Sequence, residues 1–262
     1  MQEFAPPHTF TSLVTALRAA GCVFAEDEAE LLLSTASGPA ELAAMAERRA
    51  AGHPLEHVLG WAEFCGLRIA VDPGVFVPRR RTEFLVRQAA ALAPDAAVVI
   101  DLCCGSGALG TALASSLRDV ELHAADVEPA AVRCARRNVG GLGTVYEGDL
   151  FAPLPVSLRG RVDILLANVP YVPTEDVGLL PAEARDHEPL VALDGGGDGL
   201  DVMRRVVAEA PGWLAPGGSL LVETSERQAA RAEETVGGSG LIPRVVCSEE
   251  LYATVVIGTL AR

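Results

Sequence analysis

Apolar positions in this chain follow two rhythms. Between residues 10 and 60 they recur at helical spacing, and from residue 97 onward short solid apolar blocks alternate with helical stretches. In the first part, residues 10–20 carry Leu13, Val14 and Leu17 on one face, and Gly21 supplies a stop. Residues 27–36 align Ala29, Leu32, Leu33 and Ala36, and a third helix opens at Pro39-Ala40 and closes near Ala51. Each helix is short and amphipathic, so each needs a neighbouring apolar surface. His53 and His57 stand at i, i+4, but Pro54 interrupts helix there and no metal pair is expected. Residues 64–71 and 75–77 then alternate around Asp72-Pro73-Gly74, which reads as a hairpin turn. Pro78-Arg79-Arg80-Arg81-Thr82-Glu83 leads into a helix over residues 84–92. The arginines read as a solvated helix start with Thr82 as N-cap, or as a surface for an anionic group.

The second rhythm is strand, helix, strand. Residues 97–100 form a buried strand, Asp101 to Gly107 its loop, and residues 108–117 a helix. Residues 120–125 make a strand ending at Asp126, and residues 129–138 a helix with Pro129 in its first turn. Residues 144–147 are a strand closed by Gly148-Asp149-Leu150, and residues 162–167 one that runs into Asn168-Val169-Pro170-Tyr171. A helix (201–210), a strand (219–223), a helix (225–236) and an antiparallel pair (245–247 and 253–257) complete the chain. This alternation predicts an α/β fold, a mostly parallel sheet with helices on both faces. The expected division is a helical domain over 1–60, a hairpin linker over 61–78 and a main domain over 79–262. The helical domain reads as a holder for a protein substrate or as a stabilising cap.

Composition narrows the choices. The chain has 262 residues, enough for one large domain and a small appendage. No apolar run reaches the ~20 residues of a membrane span. Residues 1–10 lack the basic start and apolar core of a signal peptide, so a cytosolic protein is expected. The six cysteines show no metal-ligand spacing, and reduced thiols are expected. A net charge of −14 argues against a nucleic-acid backbone as partner and permits a basic protein. All 21 basic residues are arginine, which excludes Schiff-base chemistry and a phosphate-loop lysine.

Gly105-Ser106-Gly107-Ala108-Leu109-Gly110 is G-x-G-x-x-G after a strand and before a helix. Asp126 lies 21 residues beyond Gly105, where an acid accepts from ribose hydroxyls. A nucleoside cofactor follows, NAD being the first candidate. Asp101, four residues before Gly105, would repel a pyrophosphate and favour an ammonium. Asp149-Leu150 offers a polar-plus-apolar corner for adenine. Asn168 to Tyr171 has no evident part in hydride transfer, whereas an Asn with a stiff turn and a flat ring can hold a planar NH2-bearing group. S-adenosyl-L-methionine fits these features better. An NAD-dependent oxidoreductase, a nucleic-acid amino-group methyltransferase, a natural-product methyltransferase and a non-catalytic binding module remain as alternatives.

The chain resembles the HemK/PrmC-type protein-(glutamine-N5) methyltransferases, which act on the Gly-Gly-Gln glutamine of peptide chain release factors. The likeness runs through Pro54 to Gly60, Val77-Pro78-Arg79, the glycine loop, Asn168 to Tyr171, His187-Glu188-Pro189, Ala192 to Gly196, Asp198-Gly199-Leu200, Glu223 and Gln228. It implies a Rossmann-like class I methyltransferase with a seven-stranded sheet, S-adenosyl-L-methionine as cofactor and a release factor as protein partner. Cys103, Cys104, Gly105, Ser106 and Gly107 would line the methionine and ribose part, Asp126 the ribose diol and Leu150 the adenine. With Asp101, Val127, Asp149 and Asn168 these form the expected cofactor set. Asn168, Val169, Pro170 and Tyr171 form the expected catalytic set, and no metal ligand is assigned. Three departures stand out. Val169 replaces the family's usual Pro, Cys103 its first loop glycine, and residues 78–83 its Pro-Arg-Pro-Glu-Thr-Glu segment.

Overall fold

The computed structural model describes residues 9–262. Residues 1–8, which hold most of the stretch read for a leader and the start of the helical domain, lie outside the described residues. Helices α1 (Phe10–Ala19), α2 (Ala25–Thr35) and α3 (Pro39–Ala50) pack around Leu13, Leu17, Ala29, Leu32 and Met45. Thr9 caps α1 by accepting from the Ser12 N–H, and Pro39 stands in the first turn of α3, where its missing N–H costs nothing. Pro54 does not simply break the chain. It stands at the head of a one-turn helix, α4 (Leu55–Leu59), for the same reason. His57 on α4 is buried with Nε2 2.8 Å from the Val75 carbonyl oxygen, while the His53 ring packs tilted against His187, centroids 4.3 Å apart.

The hairpin lies earlier than its sequence suggested. Strands β1 (Trp61–Phe64) and β2 (Leu67–Ala70) pair antiparallel, so Cys65-Gly66 is the turn. Both residues are left-handed, with φ of 51° and 73°, which matches the twist of paired strands. Asp72-Pro73-Gly74 makes a separate turn closed by Val75 N–H to Asp72 C=O. Residues 75–77 are not a strand, yet Val75 and Val77 are buried in the main core. The expected 61–78 hairpin is therefore a hairpin over 61–70 followed by an irregular run.

The main sheet contains β3 (Ala96–Leu102), β4 (Asp119–Asp126), β5 (Gly143–Glu147), β6 (Val162–Ala167), β7 (Leu214–Thr224), β8 (Ile242–Ser248) and β9 (Ala253–Thr259). The helices are α5 (Glu83–Leu92), α6 (Ala108–Ser116), α7 (Pro129–Val139), α8 (Ala182–His187), α9 (Asp201–Glu209) and α10 (Ala229–Gly238). Strand order is β5-β4-β3-β6-β7-β9-β8, parallel from β5 to β7, with β9 antiparallel to both neighbours. This is the mostly parallel seven-stranded sheet the pattern called for. Separate apolar layers cover its two faces. Strand β7 absorbs Pro216-Gly217-Gly218 through an irregularity in its pairing with β6. Helix α10 starts later than expected, after a 3-10 turn opened by a Ser225–Gln228 capping box.

Strand order reverses between β3 and β6, so a crevice opens beyond their carboxyl ends. Asn138 at the end of α7 ties three elements together there. It accepts from the Ala70 N–H and donates to the carbonyls of Ala70 and Ser106, fastening the hairpin to the glycine loop.

Candidate functional site

A cavity of about 410 Å³ fills that crevice. Cys103, Cys104, Gly105, Ser106, Asp126, Val127, Asp149 and Leu150 line it, and so do Asn168, Val169, Pro170 and Tyr171. Pro54 and Glu56 reach it from the helical part, and Glu183, Ala184, Glu188 and Pro189 from the α8 region. Of the site residues read from sequence, Asp101 and Gly107 do not line it.

The glycine loop owes its path to backbone shape. Cys103 holds φ at 52°, a left-handed conformation that a side chain resists, which explains why the family's usual residue here is glycine. Gly107, at φ 76°, packs inward: a Cβ there would lie 3.2 Å from both Ala135 and Val139. Its part is to seat α6 against α7 rather than to face the cavity. Asp126 closes the loop from β4. Its Oδ2 accepts from the Gly105 N–H at 2.8 Å and its Oδ1 from the Glu128 N–H at 2.9 Å. Burial raises the Asp126 pKa, against the pull of those two hydrogen bonds.

Asp101 differs from the sequence reading. Its carboxyl is buried and accepts from the Gly110 N–H at 2.8 Å, bracing the start of α6. It does not present a charge to an ammonium in the cavity. Burial pushes its pKa up to about 7, with Asp126 adding to the rise. Arg205 on α9 was not legible beforehand. It pairs with Asp149 at the cavity edge, 56 positions away in sequence.

At the tip of β6, Asn168 faces the cavity, and among the described residues its side-chain amide has no hydrogen-bond partner. Val169 turns its side chain into the apolar layer, where it is buried. The family's usual proline is therefore replaced by a residue whose side chain is used for packing. Tyr171 is held from three directions. Its hydroxyl accepts from Arg81 Nη2 at 2.5 Å and donates to Glu223 at 3.1 Å. Its carbonyl accepts from Gln228 Nε2 at 2.9 Å. Burial pushes its phenol up to about 12, helped by Glu223 and opposed by Arg81. Gly195 packs on the same loop: a Cβ there would meet the Pro170 and Gly199 oxygens at 2.6 and 2.5 Å.

The arginine run is not a solvated helix start. Arg79 pairs with buried Glu188 at 2.5 Å, and Glu188 also accepts from the Val77 N–H. Arg81 pairs with buried Glu223 at 3.1 Å. Only Arg80 points to solvent without an ion pair among the described residues. Thr82 does hold the N-cap position of α5, but it caps nothing: it sits in a 3-10 turn with helical backbone, and its buried hydroxyl has no partner among the described residues. Buried carboxylates recruited these arginines, because an unpaired buried charge is expensive.

Residues 66–181 match the family model described as the methyltransferase small domain. A release factor glutamine methyltransferase of Geobacter sulfurreducens is 44% identical over 206 residues, covering 76% of this chain and 70% of that one. One from Mycolicibacterium smegmatis is 39% identical over 254 residues, 90% of each chain. Among solved structures, a methyltransferase from Pyrococcus furiosus shares the fold at 16% identity and a TM-score of 0.57, over 75% of this chain and 90% of that one.

Proposed function

The chain belongs to the release factor glutamine methyltransferase family, and we propose from that premise how its residues serve the reaction. It methylates the N5 nitrogen of a glutamine in a peptide chain release factor, with S-adenosyl-L-methionine as cofactor. The cavity fits that cofactor on its own residues. Gly105 has open space where a Cβ would stand, and the Asp126 carboxylate lines the cavity beside Val127 and Leu150. Asp126 is assigned to the ribose hydroxyls, Val127, Asp149 and Leu150 to the adenine, and Cys103 to Ser106 to the methionine end. S-adenosyl-L-methionine supplies an electrophilic methyl group when bound.

An amide nitrogen is a weak nucleophile because its lone pair is shared with the carbonyl. The protein's task is therefore to orient it. Asn168 Oδ1 and the backbone carbonyl of Val169 accept the two N–H groups of the glutamine amide, which fixes its plane. The Val169 part needs no particular side chain, so Val in place of Pro preserves it. Tyr171 packs on the amide face, its ring angle set by Arg81, Glu223 and Gln228. Positioning of this kind contributes ~7–11 kcal/mol in favourable systems. The nitrogen that gains the methyl loses one proton, which passes to water, and no general base is assigned.

The observation that carries this reading is the Asn168 amide, without a hydrogen-bond partner among the described residues and in the same cavity as the glycine loop and Asp126. The helical part, residues 10–59, is assigned to hold the protein substrate, because Pro54 and Glu56 reach the cavity mouth. The acidic charge favours a protein over a nucleic acid as substrate. Mass spectrometry of a release factor after incubation with the protein and cofactor tests the assignment. The expected result is one methyl on the Gly-Gly-Gln glutamine. An unmodified glutamine beside intact cofactor binding would contradict it.

A further inference from the structure

Tyr171 and Arg81 form a wall with two sides. Behind it lies a second, more open cavity of about 520 Å³, lined by Glu223, Glu226, Glu249 and Tyr252 together with Tyr171 and Arg81. Three carboxylates meet one guanidinium there. Glu223 is the telling residue. Its side chain is 2% exposed, and its Oε1 takes both Arg81 and the Tyr171 hydroxyl. Its Oε2 is buried with no partner among the described residues. A carboxylate oxygen left without a donor in such a place is costly, and the costs fall when a donor arrives.

We propose that this second cavity is a subsite for a cationic side chain, guanidinium or ammonium, belonging to the same polypeptide whose glutamine meets Asn168. The proposal rests on the glutamine reading given above. Both cavities share Tyr171 and Arg81, so a chain seated in one is a tyrosine ring away from the other. An extended chain advances ~3.3–3.6 Å per residue, so one short segment can reach both adjoining cavities. The cation offers N–H groups to Glu223 Oε2 and charge to Glu226 and Glu249. Tyr252 stands at the rim 90% exposed, an open aromatic face of the kind cations favour. The subsite selects glutamines by the charge of their neighbours, a task that Asn168 alone cannot perform.

The test uses the full chain and fluorescein-labelled peptides built on Gly-Gly-Gln, with lysine, arginine, alanine or glutamate placed at one flanking position at a time. Binding is read by anisotropy, and methyl transfer to the same peptides is followed in parallel. At one position or more, lysine or arginine binds about tenfold tighter than alanine, and glutamate weaker. That preference is steeper in low salt. In the Glu226→Gln, Glu249→Gln double variant the preference falls severalfold, Glu223 alone remaining, while affinity for the alanine peptide is unchanged. Equal binding of all peptides, no binding of any, or a preference undiminished in the double variant overturns the subsite. Peptides methylated without charge preference overturn the subsite alone. Peptides bound by charge but never methylated overturn the glutamine reading and leave the subsite standing.

Discussion

Cys103 shows how a single backbone angle governs this site. At φ 52° a β-branched side chain is strained by ~1–3 kcal/mol, whereas glycine is not. Cys103→Val is expected to lose about 2 kcal/mol in chemical denaturation, and Cys103→Gly to stay within about 1 kcal/mol of the parent. Equal losses in both variants would show that packing of the thiol, not the angle, matters. Asp101 gives a second prediction, in pH. Its folded-state pKa is raised to about 7 from an ordinary 3.8, so the folded protein keeps a proton that the unfolded chain releases. Stability tied to that proton is complete below about pH 4 and is lost as pH rises toward 7. Asp101→Asn carries no such proton. Unfolding free energies measured from pH 4 to 8 are therefore expected to improve for the variant relative to the parent as pH rises. Parallel profiles would contradict the assignment. The role of Asp101 was not legible in sequence because position at a strand end does not say which way a carboxylate faces.

Among the elements, the segment from Val77 to Thr82 is the one whose meaning changed most. Its arginines look solvated in sequence because their partners, Glu188 and Glu223, lie 109 and 142 positions away. Local patterning carries no information at that range. The hairpin turn was displaced for a different reason: Cys65 is not a residue that advertises a positive φ, while Asp72-Pro73-Gly74 advertises a turn and makes one nearby. The strands and helices of the sheet were legible, since solid apolar blocks alternating with amphipathic stretches leave few other arrangements. Arg79→Ala is expected to cost about 3 kcal/mol, because Glu188 is left buried and unpaired. Arg80→Ala should change stability by less than about 0.5 kcal/mol. Equal, small effects at both positions in urea unfolding would mean the Glu188 pair contributes nothing.

Over the whole molecule, the helical part and the sheet are joined across the cavity mouth. Arg49 pairs with buried Glu28 inside the helical cluster and reaches Glu183 on α8 at 2.6 Å, while His53 packs against His187. Both α8 and the helical part contribute residues to the cavity lining. In the proposed assignment the cofactor side is built from β3 and β4, and the acceptor side from the tip of β6. That separation makes the central claim, that Asn168 orients the acceptor amide, open to one direct measurement. The Asn168→Ala variant is to be compared with the parent for cofactor affinity and for single-turnover methyl transfer to the release factor. Cofactor affinity within about tenfold of the parent and transfer slowed about a hundredfold or more are the expected results. Transfer at close to the parent rate would contradict the account.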